Sequence, residues 1–230
     1  MATPALTIAL LGAESSGKTQ LAQALAAHFR KRGQRAVLVP EYLRLWCEQQ
    51  RRTPRQQEQE AIAREQARQV DEAGPCDVLI ADTTALMIAV YSDHVFADTS
   101  LYRFALAQQR RYHVTLLTGL DLPWVADGLQ REGPHVQQPV DSLLRQALQG
   151  AGLAYQVVYG QGQQRLENAL NAISAIEKIA SQAVNTLASG IYDHNNDAPM
   201  PKMAWCERCS QPDCEHRLFT ALIAKTSPLR

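Results

Sequence analysis

The chain has 230 residues, enough for one α/β domain with a substantial core and a short appendage. Apolar residues make up 46% of it, and 23 basic side chains balance 23 acidic ones, so no net field draws it to nucleic acid or an anionic membrane. The first apolar run, residues 5–11, has no basic segment before it and is too short to span a bilayer; neither a secretory signal nor a membrane anchor is expected, and the cytoplasm is the expected location.

In chain order, residues 5–11 (ALTIALL) read as a buried strand closed by Gly12. From Lys18 the period changes: Leu21, Leu25 and Phe29 recur every four residues, the face of a helix that Gly33 ends. Residues 36–39 (AVLV) form a second strand, closed by Pro40. Thr53, Pro54 and Gln56 read as N-cap, first turn and capping-box position of a largely polar helix reaching about Ala73. Residues 77–81, 113–118 and 154–159 are the third, fourth and fifth strands. Helical patterns occupy 84–92, 98–110 and 139–150, and a last helix over 163–184 carries the stripe Leu166, Leu170, Ile173, Ile176, Ala180, Val184. Five strands alternating with helices predict a three-layer α/β fold with a parallel sheet covered on both faces. Ligands of such sheets lie beyond the C-terminal strand ends, where Gly12, Glu41, Asp82, Gly119 and Gly160 fall.

Residues 12–19, GAESSGKT, match the phosphate-binding Walker A pattern and lie where a strand gives way to a helix. Gly12 and Gly17 let the backbone of Ala13, Glu14, Ser15 and Ser16 curl, so that successive N–H groups face one phosphate, and the following helix adds its positive end. Lys18 is placed to reach the β- and γ-phosphates of ATP and Thr19 to hold Mg²⁺. Asp82 closes an apolar strand, as a Walker B acid does; it is read as a magnesium or acceptor-hydroxyl ligand, with a helix N-cap as the plainer alternative. Glu41, after the second strand, is the candidate base for an attacking hydroxyl; a surface acid is the alternative. The expected class is therefore an ATP-dependent P-loop phosphotransferase.

GAESSGKT, Glu41-Tyr42, Asp82-Thr83 and LPWVADGL over 122–129 together resemble the ribosylnicotinamide kinase domain of the bifunctional NadR proteins, over about residues 6–180. The resemblance implies phosphoryl transfer from ATP to the 5′-hydroxyl of nicotinamide riboside, giving nicotinamide mononucleotide. It makes Trp124 and Asp127 substrate-binding residues, and Tyr91 falls where the family has an aromatic. Tyr42, Trp46, Tyr91 and Trp124 suit a cationic planar ring by stacking and cation–π attraction, although each also suits a core. Where the family reads DGLR, this chain has Gln130, with Arg131 one residue later, and Gln138 stands near a second expected arginine. Arg131 is the candidate for covering the γ-phosphate, and Arg165, after the fifth strand, for stacking on the adenine.

Residues 187–204 read as a polar, turn-rich linker between a kinase domain over 1–186 and a C-terminal segment over 205–230. In that segment Cys206, Cys209, Cys214 and His216 have spacing suited to tetrahedral Zn²⁺, with reduced thiols on a tail as the alternative. Cys47 and Cys76 lie apart, and five cysteines without an export signal argue against a disulfide framework. The expected partner is a small nucleoside, not nucleic acid or a membrane; self-association is left open. A second functional class, a nucleotide-binding regulator signalling through the cysteine segment, remains alongside the enzyme, as does a kinase with another small acceptor.

Overall fold

The computed structural model describes residues 6–125 and 133–188. The chain divides at residue 172 into two units; the first carries the sheet, and of the second only the continuation of the last helix is described. Asp127, Arg131 and the Cys206, Cys209, Cys214 and His216 cluster lie outside the described residues.

Five strands, β1 (Leu6–Leu11), β2 (Ala36–Val39), β3 (Val78–Asp82), β4 (Val114–Thr118) and β5 (Gln156–Val158), form one sheet in the order β2-β3-β1-β4-β5. Every pairing is parallel. The α/β expectation therefore holds, strand by strand, within two residues at each end. β3 and β4 are buried throughout and β1 from Ile8 onward, which is why these strands are mostly apolar rather than alternating.

Among the described residues the α-helices are α1 (Lys18–Lys31), α2 (Tyr42–Gln50), α3 (Gln59–Asp71), α4 (Ala85–Phe96), α5 (Tyr102–Gln109), α6 (Gln137–Gly150) and α7 (Gly162–Ala188). Right-handed crossovers sort most of them by face. The chain moves one way along the sheet from β1 to β2, and the other way at each later step. So α1 lies on one face, against β2 and β3, while α2 to α6 gather on the other. On that crowded face Leu11 and Leu117 meet Leu86, Met87, Ile88, Val140 and Leu144 in one apolar cluster. Helix α4 is its axis: Ala85 to Val90 are all buried, so its sequence is apolar all round rather than striped. Each buried Leu, Ile or Met there contributes about 1.5–3 kcal/mol.

Two local expectations are corrected. Helix α2 does not figure among the predicted helices; Glu41 is its N-cap residue. The helix expected from Thr53 begins instead with a 3₁₀ turn, Gln56–Glu58, and becomes α-helical at Gln59. Arg55 is extended (φ −82°, ψ 164°), as the N-cap of a helical turn is, and the cap comes from Glu58. Its Oε2 accepts from the Arg55 N–H at 2.7 Å, while both carboxylate oxygens accept from Arg52 at 2.6 and 2.7 Å.

Candidate active site

The strand register places the site. Leu10 of β1 pairs with Asp82 of β3 on one side, and Leu11 pairs with Leu117 of β4 on the other. The chain leaving β1 therefore enters its phosphate loop between Asp82 and Thr118. Gly12 is obligatory here: its φ is +146°, and a Cβ would lie 2.0 Å from Thr118 Oγ1. Gly17, the residue before α1, has φ +78°, and a Cβ there would meet Arg165 Nη1 and Leu122 Cδ1, each at 2.8 Å. Ser16 braces the loop from within, its Oγ 2.6 Å from the Ala13 carbonyl oxygen and 2.7 Å from Thr118 Oγ1. Lys18 is buried, and its Nζ donates to the Ala13 carbonyl at 2.8 Å, folding the ammonium back over the loop it serves.

Asp82 lies beside Thr19, whose hydroxyl hydrogen-bonds its carboxylate, and burial pushes the carboxyl above its ordinary range, with Glu41 adding to the rise and Lys18 and Arg44 opposing it. Oδ1 of Asp82 is buried with no hydrogen-bond partner. The next residue, Thr83, has φ +81° although it is β-branched and buried, a conformation worth about 1–3 kcal/mol of strain. Thr84 takes the N-cap role considered for Asp82, its Oγ1 accepting from the Leu86 N–H at 3.2 Å. Asp82 is thus spared from capping.

Glu41 caps nothing with its side chain; its Oε2 lies 3.3 Å from Arg44 Nη2, one helical turn on. The corner carrying it is pinned from α3. The buried Gln66 amide accepts from the Tyr42 N–H at 2.7 Å and donates to the Pro40 carbonyl at 3.2 Å.

Two cavities open at these strand ends. One, of about 510 Å³, is lined by Glu14, Lys18, Glu41, Arg44, Gln59 and Tyr91, with Phe96 and Arg55 among its further walls. The other, of about 840 Å³, runs along the outer side of the phosphate loop past Thr19, Leu122, Gln161 and Arg165. Ser15, Lys18 and Arg44 line both. Two elements lean on the loop from above: Ser15 Oγ accepts the Val125 N–H at 2.8 Å, and Gln137 Nε2 donates to the Glu14 carbonyl at 2.7 Å.

The sequence-derived residues distribute unevenly over this geometry. Lys18, Thr19, Glu41 and Asp82 converge, and Tyr91 walls the smaller cavity. Tyr42 and Trp46 pack against the core of the crowded face, and the Arg52 guanidinium lies 4.8 Å from the Trp46 ring centroid. Neither appears among the residues lining the two cavities, and nor does Trp124, whose indole N–H is buried without a partner. Arg165, in the first turn of α7, turns inward rather than presenting a flat face for a base. Its guanidinium donates to the carbonyls of Ser16 at 2.7 Å, Gly119 at 3.2 Å and Val158 at 3.3 Å, and to Asp121 Oδ1 at 2.8 Å. Three carbonyls and a carboxylate at one point attract a guanidinium more strongly than an open groove does. Sequence reasoning missed Arg44, Gln59 and Gln66. The i,i+3 spacing of Glu41 and Arg44 was the one signal in view for any of them.

Among the described residues no group of three or more His, Cys, Asp or Glu side chains is placed to hold a metal ion, and the zinc expectation rests wholly on residues beyond them. Magnesium needs less protein than that, one or two ligands plus phosphate oxygens. The Thr19 hydroxyl and the unpartnered Asp82 Oδ1 fit that demand. No described helix is long and apolar enough to cross a membrane.

A family model described as an AAA domain matches residues 7–165, and the chain belongs to that family. Among solved structures it is similar to the NadR protein in complex with NR, with a TM-score of 0.61 and 18% identity over 75% of this chain. The chain spans 49% of that protein's length. It is also similar to the thymidylate kinase of Ehrlichia chaffeensis (TM-score 0.55, 12% identity, 76% of this chain and 100% of the other). The deoxyadenosine kinase of M. mycoides follows at TM-score 0.50 and 13% identity, over 74% of this chain and 99% of the other. No curated protein matches the chain by sequence. The fold is that of the P-loop kinases.

Proposed function

We propose that this chain is an ATP-dependent kinase that phosphorylates the 5′-hydroxyl of a nucleoside, with nicotinamide riboside as the preferred acceptor. The observation that carries the reading is the meeting of two cavities at Lys18, with two carboxylates, Glu41 and Asp82, beside it. A donor site and an acceptor site sharing one phosphate-holding lysine is what in-line transfer needs. The larger cavity accommodates the nucleotide, its phosphates cradled by the loop from Gly12 to Lys18. Thr19 and Asp82 would hold Mg²⁺, which would supply charge neutralisation on the phosphate oxygens. Glu41 takes the proton of the attacking hydroxyl, and Arg131 and Trp124 remain candidates for lid and ring contacts.

The smaller cavity supports a flat, amide-bearing acceptor. Tyr91 and Phe96 provide aromatic walls for a cationic ring, and the Gln59 side chain is buried in its lining with Oε1 unpartnered, an acceptor for a carboxamide N–H. Arg55 in the same wall favours a second reading, an acceptor that already carries a phosphate.

The test is product formation by purified protein with ATP and Mg²⁺, followed by mass. Nicotinamide mononucleotide from nicotinamide riboside, lost in Lys18→Ala, bears the proposal out. Turnover of nucleoside monophosphates alone replaces it with the second reading, and wild-type rates in Lys18→Ala refute both.

A further inference from the structure

Resting on that kinase reading, we propose that Arg44 is a catalytic residue whose guanidinium contacts the phosphoryl group as it passes from nucleotide to acceptor. The placement follows from the two cavities. A phosphoryl group in transit must lie where they join, and the side chains common to both are Ser15, Lys18 and Arg44. Of these, Lys18 and Arg44 are cations. Lys18 rises from the phosphate loop and Arg44 from α2, on the acceptor side.

The chain makes this position rigid. Arg44 lies in the first turn of α2, three residues after Glu41, and α2 is held at its start by the two Gln66 hydrogen bonds. The Arg44 side chain is one-third exposed, with Nη2 3.3 Å from Glu41 Oε2. Its planar fork of five N–H donors matches the oxygens of a phosphoryl group as well as those of a carboxylate. Its positive charge is also felt at Asp82, across the junction.

In the step itself the bond from the γ-phosphorus to its bridging oxygen breaks, and ADP leaves with that electron pair. A new P–O bond forms to the acceptor hydroxyl oxygen, and the hydroxyl proton passes to Glu41. Arg44 donates to the equatorial oxygens of the moving group while remaining paired with Glu41, so one side chain stabilises the phosphoryl group and aims the base. An arginine supplied to such a transition state is worth about 10³–10⁵ in kcat, and loss of a single aimed donor about 10²–10³. A cation fixed on a helix differs from one carried by a lid: its contribution does not wait for closure.

The experiment compares wild type, Arg44→Gln and Arg44→Lys in kcat, in KM for ATP and in affinity for two probes. One probe is a non-hydrolysable ATP analogue; the other is ADP with aluminium fluoride and nicotinamide riboside, which mimics the group in transit. Thermal melts confirm that the variants are folded. We expect kcat to fall roughly 10²–10³-fold in Arg44→Gln, with partial recovery in Arg44→Lys. Affinity for the aluminium fluoride complex falls by a similar factor, while affinity for the ATP analogue stays within about threefold. If kcat is retained, or if both probes weaken equally, Arg44 is not a transition-state ligand and the proposal is overturned, with the kinase reading intact. A wild-type protein that makes no product from any acceptor overturns the reading itself and the role of Arg44 with it.

Discussion

Gln66 and Tyr42 are joined by a 2.7 Å hydrogen bond in which the side-chain amide oxygen on α3 accepts the first N–H of α2, while the same amide donates to the carbonyl of Pro40 at 3.2 Å. The corner between those two bonds is Glu41. A buried side chain 24 positions down the chain thus sets the direction of the candidate base.

Replacing Gln66 by Leu removes both half-buried hydrogen bonds, each worth about 0.5–1.5 kcal/mol. The melting temperature should fall by several degrees, and kcat should fall with it because Glu41 is no longer aimed. Melts and steady-state kinetics check this; a variant with native stability and native kcat would show that the corner holds itself.

Asp82 yields a prediction with a definite sign. Its carboxyl is raised above 3.8, first by burial, so folding favours the neutral form. That contribution to stability is fully present below the unfolded value and is lost as pH rises through the folded value. At neutral pH without Mg²⁺, Asp82→Asn should therefore be more stable than wild type, though inactive. Mg²⁺ with nucleotide should stabilise wild type more than the variant, and the acid limb of kcat/KM should lie above the ordinary aspartate range. Equal melting temperatures with and without the metal would argue against a charged carboxylate at this point.

The Gln59 amide is tested through the acceptor. Gln59→Leu keeps the volume and removes the carbonyl, so KM for nicotinamide riboside should rise about tenfold or more while KM for ATP is unchanged. Comparison with nicotinic acid riboside is informative, because a carboxylate has no N–H to offer Oε1. If the two ribosides respond identically to the substitution, Gln59 does not read the amide.

Glu58 gives a second pH effect of opposite sign. Its carboxyl is held at about 2, against 4.5 unperturbed, first by the Arg52 guanidinium and then by the Arg55 N–H. Stability from this cap is present above the unfolded value and is lost as pH falls from about 4.5 through about 2. Because Arg52 and Glu58 are both partly exposed, the effect is small. Glu58→Gln should flatten the stability curve in that window; an unchanged slope would assign it to other carboxyls.

How legible this was depended on range. β1, the phosphate loop and α1 are contiguous, and their glycines, lysine and period-four leucines declare the structure without outside help. Strand positions were legible because burial on both faces demands apolar runs. Helix α2 was not: its nine residues bury only Leu43 and Cys47, and its aromatics read equally well as ring-binding residues. Trp46 instead packs on the core, with Arg52 over its face. The roles of Gln59 and Gln66 depend on where α3 docks, which no local pattern records. Arg165 was located but its orientation was not, because its acceptors lie at Ser16, Gly119, Asp121 and Val158.

That last arrangement has a consequence for the order in which the protein comes into being. The Ser16 carbonyl reaches its partner only across 149 positions, and the same guanidinium gathers the ends of β4 and β5. As the ribosome delivers the chain, the phosphate loop emerges well before the side chain that ties it down, which follows only after β5. The loop is thus finished only once the final strand has been made and has brought Arg165 to the Ser16 carbonyl.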